Sequence, residues 1–175
     1  MCAQEGFTEG ICLLLENGAE IDKGKSPRLA DLVWSGSLFE CSANNDGRTA
    51  LMWACFNGHT KAVNLLIENG ANLKLKDRSG TNCLYCACDS DSPETLLAIL
   101  EKKVIPVNIY NSSGWTVLHK LAAVYDTENS PKMLKLLLKY GANINLRDNK
   151  GNTPVGQPSF MYLILSSASS WCNQW

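Results

Sequence analysis

The stretch that decides the fold is NNDGRTALMWACFNGHTKAVNLLIENGANLKL, residues 44–75. A polar turn ends at Gly47, an apolar segment runs to Gly58, and a second apolar segment stops at Gly70. Apolar residues recur at helical spacing in both segments. Glycine is favoured just past a helix end, where the backbone is often left-handed. We therefore predict a turn followed by two short helices.

This pattern recurs along the chain. Gly6–Ala19, GFTEGICLLLENGA, is identical to Gly58–Ala71, GHTKAVNLLIENGA, at eight of fourteen positions. The end of the unit returns as KMLKLLLKYGANIN at Lys132–Asn145. Internal similarity at a fixed period indicates a stack of small units, in which each unit covers the apolar face of the next.

The polar turns give the period. They lie at Asn44–Gly47, Asp77–Gly80, Asn111–Gly114 and Asp148–Gly151, and their glycines are 33, 34 and 37 residues apart. An Asp or Asn that opens a turn can bond its own backbone two residues on. The residues that need neighbours on both sides in the best-formed unit are Leu51, Ala54, Cys55, Val63, Leu66 and Ile67.

These motifs resemble the ankyrin repeat, whose pattern is D-x-x-G-x-T-P-L-H-x-A-A-x-x-G-H followed by V-V-x-L-L-L-x-x-G-A. The resemblance is strongest over residues 44–75 and extends over about 2–155. The unit from Asp77 has Lys103 or Val104 in place of the glycine that ends the helix. The resemblance implies an all-α solenoid of about four to five stacked helix-turn-helix units, with projecting β-hairpin-like turns.

Six segments follow from this period. Residues 1–22 form a partial first repeat and 23–43 a degenerate or shortened repeat, with a linker as the alternative. Repeats cover 44–76, 77–110 and 111–147, the last with an insertion near 124–130. Residues 148–175 form a partial repeat and an irregular tail, since Pro158 opposes a helix there. The array is expected to be truncated at both ends.

The segment Cys2–Gly6 aligns with Ala54–Gly58, so Gly6 is expected at the turn between the two helices of the first unit. Upstream of it, only part of a helix is available before Met1. These features favour a fragment or shortened isoform of a longer protein.

Composition narrows the function. Lys and Arg total 16 and Asp and Glu total 17, so the basic surplus that a nucleic-acid binder needs is absent. The longest apolar run, at 160–165, is far below the roughly 20 residues of a membrane span. We expect an intracellular protein of the cytoplasm or nucleus, with no cofactor, no membrane insertion and no small-molecule substrate.

Four features invite a chemical interpretation. The cysteines of Cys83-x-x-Cys86-x-Cys88 lie on a first helix, where core packing is favoured over a metal site or a redox role. The loop GAEIDKGKS at Gly18–Ser26 has five residues between its glycines instead of the four of a phosphate-binding loop.

The two histidines, His59 and His119, fall at family positions that stabilise turns. Asp89 and Asp91 are interpreted as loop residues rather than a cation site. No constellation supports catalysis, and we expect no enzyme activity.

By resemblance, a partner protein binds the concave face, meaning the turns and the exposed ends of the first helices. Phe56, Trp115 and Tyr125 are aromatic where the repeat does not require an apolar residue, which is typical of interface anchors. Packing against a neighbouring hairpin is the alternative. The full predicted set is Arg48, Phe56, Asn57, Arg78, Thr81, Asp89, Ser90, Ser112, Trp115, Tyr125, Asn149 and Lys150.

The favoured function is a protein-binding scaffold or adaptor. One alternative is a regulatory segment of a larger ankyrin-containing enzyme, channel or ubiquitin-ligase adaptor. A cysteine-based redox or metal protein is the other.

Overall fold

The structure is a computed structural model that describes residues 2–22, 47–124 and 127–156. Within these ranges the regular structure is entirely helical. The helices are α1 Cys2–Glu16, α2 Ala50–Phe56, α3 Thr60–Glu68, α4 Cys83–Asp89, α5 Pro93–Glu101, α6 Val117–Val124 and α7 Ser130–Lys139, followed by a 3-10 turn at Pro154–Gly156.

The helices form two layers. Helices α2, α4 and α6 lie side by side in the inner layer, and α1, α3, α5 and α7 lie side by side in the outer layer. Each inner helix also packs on the outer helix that follows it in the chain. This arrangement is the predicted all-α solenoid, in which neighbouring repeats supply the cover that one helix pair lacks.

The core runs between the layers. Of the six residues predicted to need neighbours on both sides, five are buried and Ile67 is half-buried. Two inner helices begin after a polar capping residue. Thr49 caps α2 and Asn82 caps α4, and their side-chain oxygens accept hydrogen bonds from backbone N–H groups in the first turn. Ser92 caps α5 in the same way, and Pro93 follows it in the first turn.

The outer helices end as predicted. Gly70 and Gly141 both have φ of 87°, the left-handed backbone expected after a helix. In the repeat that has no glycine there, Lys103 takes the position with φ of 53°. The sequence indicated Lys103 or Val104 as the residue at this position, and the structure shows that it is Lys103.

The predicted turn at Gly6 is wrong. Helix α1 runs without a break from Cys2 to Glu16 and packs on α3 in the outer layer. At Gly58 the turn is closed by the His59 N–H, which donates to Ala54 O at 3.0 Å. At Gly6 the backbone instead continues as helix, which satisfies its polar groups internally.

Several predictions fall on residues outside the described ranges. These are the shortened repeat or linker at 23–43 and the irregular tail from 157 onward. Residues 23–26 of the phosphate-loop candidate and residues 125–126 of the insertion near 124–130 also lie outside.

Candidate functional site: the inner surface

The candidate site is the surface formed by the tips of the turns and the neighbouring ends of α2, α4 and α6, which we call the inner surface. In the turns that begin at Asp77, Asn111 and Asp148, the first residue forms hydrogen bonds with the backbone two and four residues later. These bonds hold each turn in one conformation. Asp77 donates its N–H to Thr81 O at 2.8 Å, and its Oδ1 accepts from the N–H groups of Ser79 and Thr81 at 2.9 Å. Asn111 and Asp148 repeat this pattern. The predicted self-bonding is confirmed for these three turns, while Asn44, which opens the remaining predicted turn, lies outside the described residues.

The tips are also bonded to one another. The Ser112 N–H donates to Ser79 O at 3.1 Å, and the Asn149 N–H donates to Ser113 O at 3.3 Å. The Asn149 amide reaches back to Ser112 O at 3.1 Å. Three successive tips therefore form one bonded row, which holds its exposed side chains at fixed spacing.

An arginine lies on an aromatic pair at the N-terminal end of this row. The Arg48 guanidinium is 4.9 Å from the Trp53 ring centroid and 5.6 Å from that of Phe56. The two rings meet edge to face at 5.9 Å. Arg48 Nε also lies 3.3 Å from Asp77 Oδ2 in the next repeat, and its side chain is 25% exposed. The cluster is thus preorganised and open on one side.

A second charged pair lies at the other end of the inner helices. Asp89 Oδ1 and Lys120 Nζ are 2.9 Å apart, with side chains 15% and 29% exposed. Ser90 donates its hydroxyl to Ala87 O at 2.9 Å, and the Asn57 N–H bonds the end of α2. Asp91 bonds Thr127 and Asn129 of the following repeat, so it links repeats.

The remaining predicted site residues lie along the tips. Arg78, Ser112 and Lys150 are exposed, as is Asn149, while Thr81 and Trp115 are half-buried. Tyr125 lies outside the described residues. Of the predicted residues, the structure brings Arg48 and Phe56 together and bonds Asn149 to Ser112. Asn57, Asp89 and Ser90 lie at the other ends of the inner helices, away from the row of tips.

Sequence reasoning missed three members of these groups. Trp53 and Lys120 were given no role in the site, and Asp77 was assigned to the turn alone. The Arg48–Asp77 and Asp89–Lys120 pairs join positions 29 and 31 residues apart, and the sequence contains no local signal for them. Trp53 instead contacts Arg48 and Phe56, which lie close to it in the chain.

The cysteine cluster lies in the core, as the packing interpretation predicts. Cys83, Cys86 and Cys88 are at most 3% exposed. Burial raises the pKa of Cys86 to about 12 and that of Cys88 still further, so these thiols stay protonated. Among the described residues, no three His, Cys, Asp or Glu side chains are grouped as metal ligands would be.

His119 stabilises a turn, as its family position implies. Its Nδ1 bonds the backbone and hydroxyl of Thr116, at 3.1 and 2.9 Å, and Nε2 lies 3.0 Å from Asn152 O in the next turn. Burial lowers the pKa of His59. Within the described part of the chain, no helix is long and apolar enough to cross a bilayer.

Comparison with known proteins gives two family matches. A family model described as ankyrin repeats (3 copies) matches residues 1–109, and the single ankyrin repeat model matches residues 113–149. The first match alone spans more than half of the chain.

Relatives with this pattern come from different kinds of organism. Ankyrin repeat and SOCS box protein 11 of Danio rerio is 30% identical over 68% of this chain and 42% of its own length. E3 ubiquitin-protein ligase KEG of Arabidopsis thaliana is 30% identical over 85% of this chain and 8% of its own. Phosphocholine transferase AnkX of Legionella pneumophila is 34% identical over 75% of this chain and 14% of its own length. The chain thus spans less than half of each.

Proposed function

The chain belongs to the ankyrin-repeat family, and from that premise we propose that it is a non-catalytic module that binds a partner protein through the inner surface. Ankyrin repeats are protein-interaction modules. The observation that carries the proposal for this surface is the cluster of Arg48, Trp53 and Phe56. Arginine and aromatic residues are the side chains most enriched at energetic centres of interfaces.

The position of the cluster supports the proposal. Asp77 holds the Arg48 side chain at 3.3 Å, so little side-chain entropy is lost on binding. The neighbouring tips present the exposed polar residues Arg78, Ser112 and Lys150 on a row fixed by hydrogen bonds. An apolar anchor beside fixed polar groups fits the layout of a protein interface.

Affinity capture with quantitative mass spectrometry tests this function. The wild-type chain is compared with Phe56→Ala/Trp115→Ala, and with Leu13→Ala, which truncates an exposed apolar residue of the outer layer. Circular dichroism and thermal unfolding establish that the three chains are folded. We expect partners that the inner-surface variant loses and the outer-layer control keeps. Equal capture by all three chains would refute the inner surface as the binding site.

A second candidate is a recognition segment within a larger ubiquitin-ligase assembly. Two relatives are named for a SOCS box and for an E3 ubiquitin-protein ligase, and the chain covers less than half of each. This candidate predicts that the captured partner accumulates and loses ubiquitin when the protein is depleted from cells. An unchanged half-life and ubiquitin content of the partner would exclude it.

A further inference from the structure

A second open surface lies on the other side of the repeats, at the ends of α5 and α7. It is a cleft of about 680 Å³. The lining residues are Leu100, Lys103, Ile105, Pro106, Val107, Lys139, Tyr140 and Gly141. None of them belongs to the inner surface, so the cleft concerns an interaction beyond the proposed function.

The walls of the cleft are preformed. Asn108 joins them, because its amide donates to Gly141 O at 3.0 Å and its Oδ1 accepts from the Asn143 N–H at 2.8 Å. Leu100 is buried beneath the cleft, while Ile105, Val107 and Tyr140 are half-buried along it. A preformed apolar floor binds a ligand without the cost of ordering loops.

Exposed apolar residues adjoin this lining in the chain. Val104, between Lys103 and Ile105, is 41% exposed, and Leu138, before Lys139, is 45% exposed. They are two of the four large hydrophobic side chains that are most exposed within the described ranges.

The charge at the cleft is positive. The two lining residues that carry a charge at neutral pH are Lys103 and Lys139, and both are exposed. Glu101 and Lys102, which directly precede Lys103, carry opposite charges that cancel. This excess contrasts with the net charge of −1 of the whole protein.

Lys103 occupies a position whose backbone conformation is strained for any residue other than glycine. Its φ is 53°, whereas the matching positions after α1, α3 and α7 are Gly18, Gly70 and Gly141. A left-handed backbone is sterically unfavourable for a residue that carries a Cβ. Strained residues of this kind cluster at functional sites, and here the strained residue places an ammonium group at the rim of an apolar cleft.

We propose that this cleft binds an extended peptide segment of a partner protein, in which acidic residues flank apolar ones. The apolar side chains pack on Ile105, Val107 and Tyr140, and the carboxylates lie against Lys103 and Lys139. Two lysines around an apolar floor suit such a peptide better than a nucleic acid, which needs a series of phosphate contacts.

The test is a selection from a randomised peptide library displayed on phage, followed by fluorescence anisotropy with the enriched peptides. We expect peptides that combine Asp or Glu with Leu, Ile or Phe. Lys103→Glu/Lys139→Glu should weaken their binding at least tenfold, and added salt should weaken it as well. The control Lys61→Glu/Lys132→Glu makes the same charge change at exposed sites of the outer layer and should leave the affinity unchanged.

Lys103→Gly is a second variant, in which a loss of binding cannot be attributed to unfolding. It removes one ammonium group and relieves the backbone strain, so binding should weaken while stability rises. Phe56→Ala/Trp115→Ala should bind the peptides normally, which separates this proposal from the proposed function.

Three outcomes would overturn the proposal. One is that no peptides, or only peptides without acidic residues, are enriched. Another is that both charge-reversal variants lose affinity equally. The third is that a labelled oligothymidylate binds more tightly than the peptides and loses affinity in the same variant, which would assign the cleft to nucleic acid.

Discussion

At the scale of single residues, Asn82 is the least suited member of the core. It is fully buried and begins α4, where its Oδ1 accepts from the N–H groups of Leu84 and Tyr85. Its Nδ2 has no hydrogen-bond partner. The matching positions in the repeats on either side are Thr49 and Thr116, whose side-chain hydroxyls are hydrogen-bonded.

Asn82→Thr should therefore stabilise the protein. The substitution keeps a capping oxygen and removes a buried N–H that has no partner, which costs about 1–3 kcal/mol. We expect the free energy of unfolding in urea to rise by about 1 kcal/mol. The reverse change Thr49→Asn is the matched control and should lower it. A decrease for Asn82→Thr would show that the amide is satisfied in solution.

Lys103 and Asp91 are the two non-glycine residues with positive φ within the described ranges. Lys103→Gly should raise the free energy of unfolding, by up to about 1 kcal/mol, because glycine adopts this backbone without strain. Asp91→Gly should bring no gain, since the Asp91 carboxylate accepts a hydrogen bond from Thr127. Urea unfolding of the two variants measures the difference. Equal gains would mean that the Thr127 bond contributes nothing.

At the scale of elements, the turns depend on how closely their tips approach. A Cβ added to Gly114 would lie 2.7 Å from the backbone nitrogen of Asn149, whereas one added to Gly151 would meet nothing within 4 Å. Both glycines have positive φ, at 73° and 80°. Sequence reasoning assigned the same role to each, and the structure separates them by the neighbour that only Gly114 has.

Gly114→Ala should consequently cost more stability than Gly151→Ala. Both variants carry the backbone penalty of about 1 kcal/mol, and only the first also forces two turns apart. We expect the difference in unfolding free energy to exceed about 1 kcal/mol, measured by thermal and urea denaturation. If the two variants lose the same amount, the close approach of Asn149 to Gly114 does not constrain the turn.

At the scale of the whole molecule, the buried thiols couple stability to pH. Burial raises the pKa of Cys86 to about 12, and it raises those of Cys55 and Cys88 well above the ordinary value. In the unfolded chain these thiols ionise near pH 8.5. Above that pH the folded protein holds protons that the unfolded chain has released, so stability falls as pH rises.

The expected loss is about 1.4 kcal/mol per such thiol between pH 7.5 and 9.5. Urea unfolding across this range measures the loss, and unfolded tyrosine, with a pKa of about 10, is still mostly protonated at its upper end. Cys86→Ala should reduce the loss by the share of one thiol, although it lowers stability at every pH. Cys12→Ala changes a half-buried cysteine and serves as the control. A pH dependence that is the same in wild type and Cys86→Ala would contradict the assignment.

The sequence by itself determined the repeat, its turns and its core. Its period of 33 to 37 residues, the glycines after the helices and the Asp or Asn at each turn are local signals, because each follows from the conformations that one residue type allows. For the same reason, the residue that replaces the helix-ending glycine in the repeat from Asp77 could be narrowed to two candidates, Lys103 and Val104. The turn at Gly6 was predicted wrongly, because a glycine permits a turn but only packed neighbours require one.

Tertiary structure alone decided the pairing of groups from different repeats. Arg48 meets Asp77, Asp89 meets Lys120, and Asn149 bonds Ser112. The cleft beside Lys103 likewise joins the ends of two helices that are far apart in the chain. These contacts depend on the rotation and spacing between repeats, which are set by the packing of whole helices. The physical reason is that a local pattern fixes the form of one repeat, while a surface shared by several repeats exists only once they have stacked.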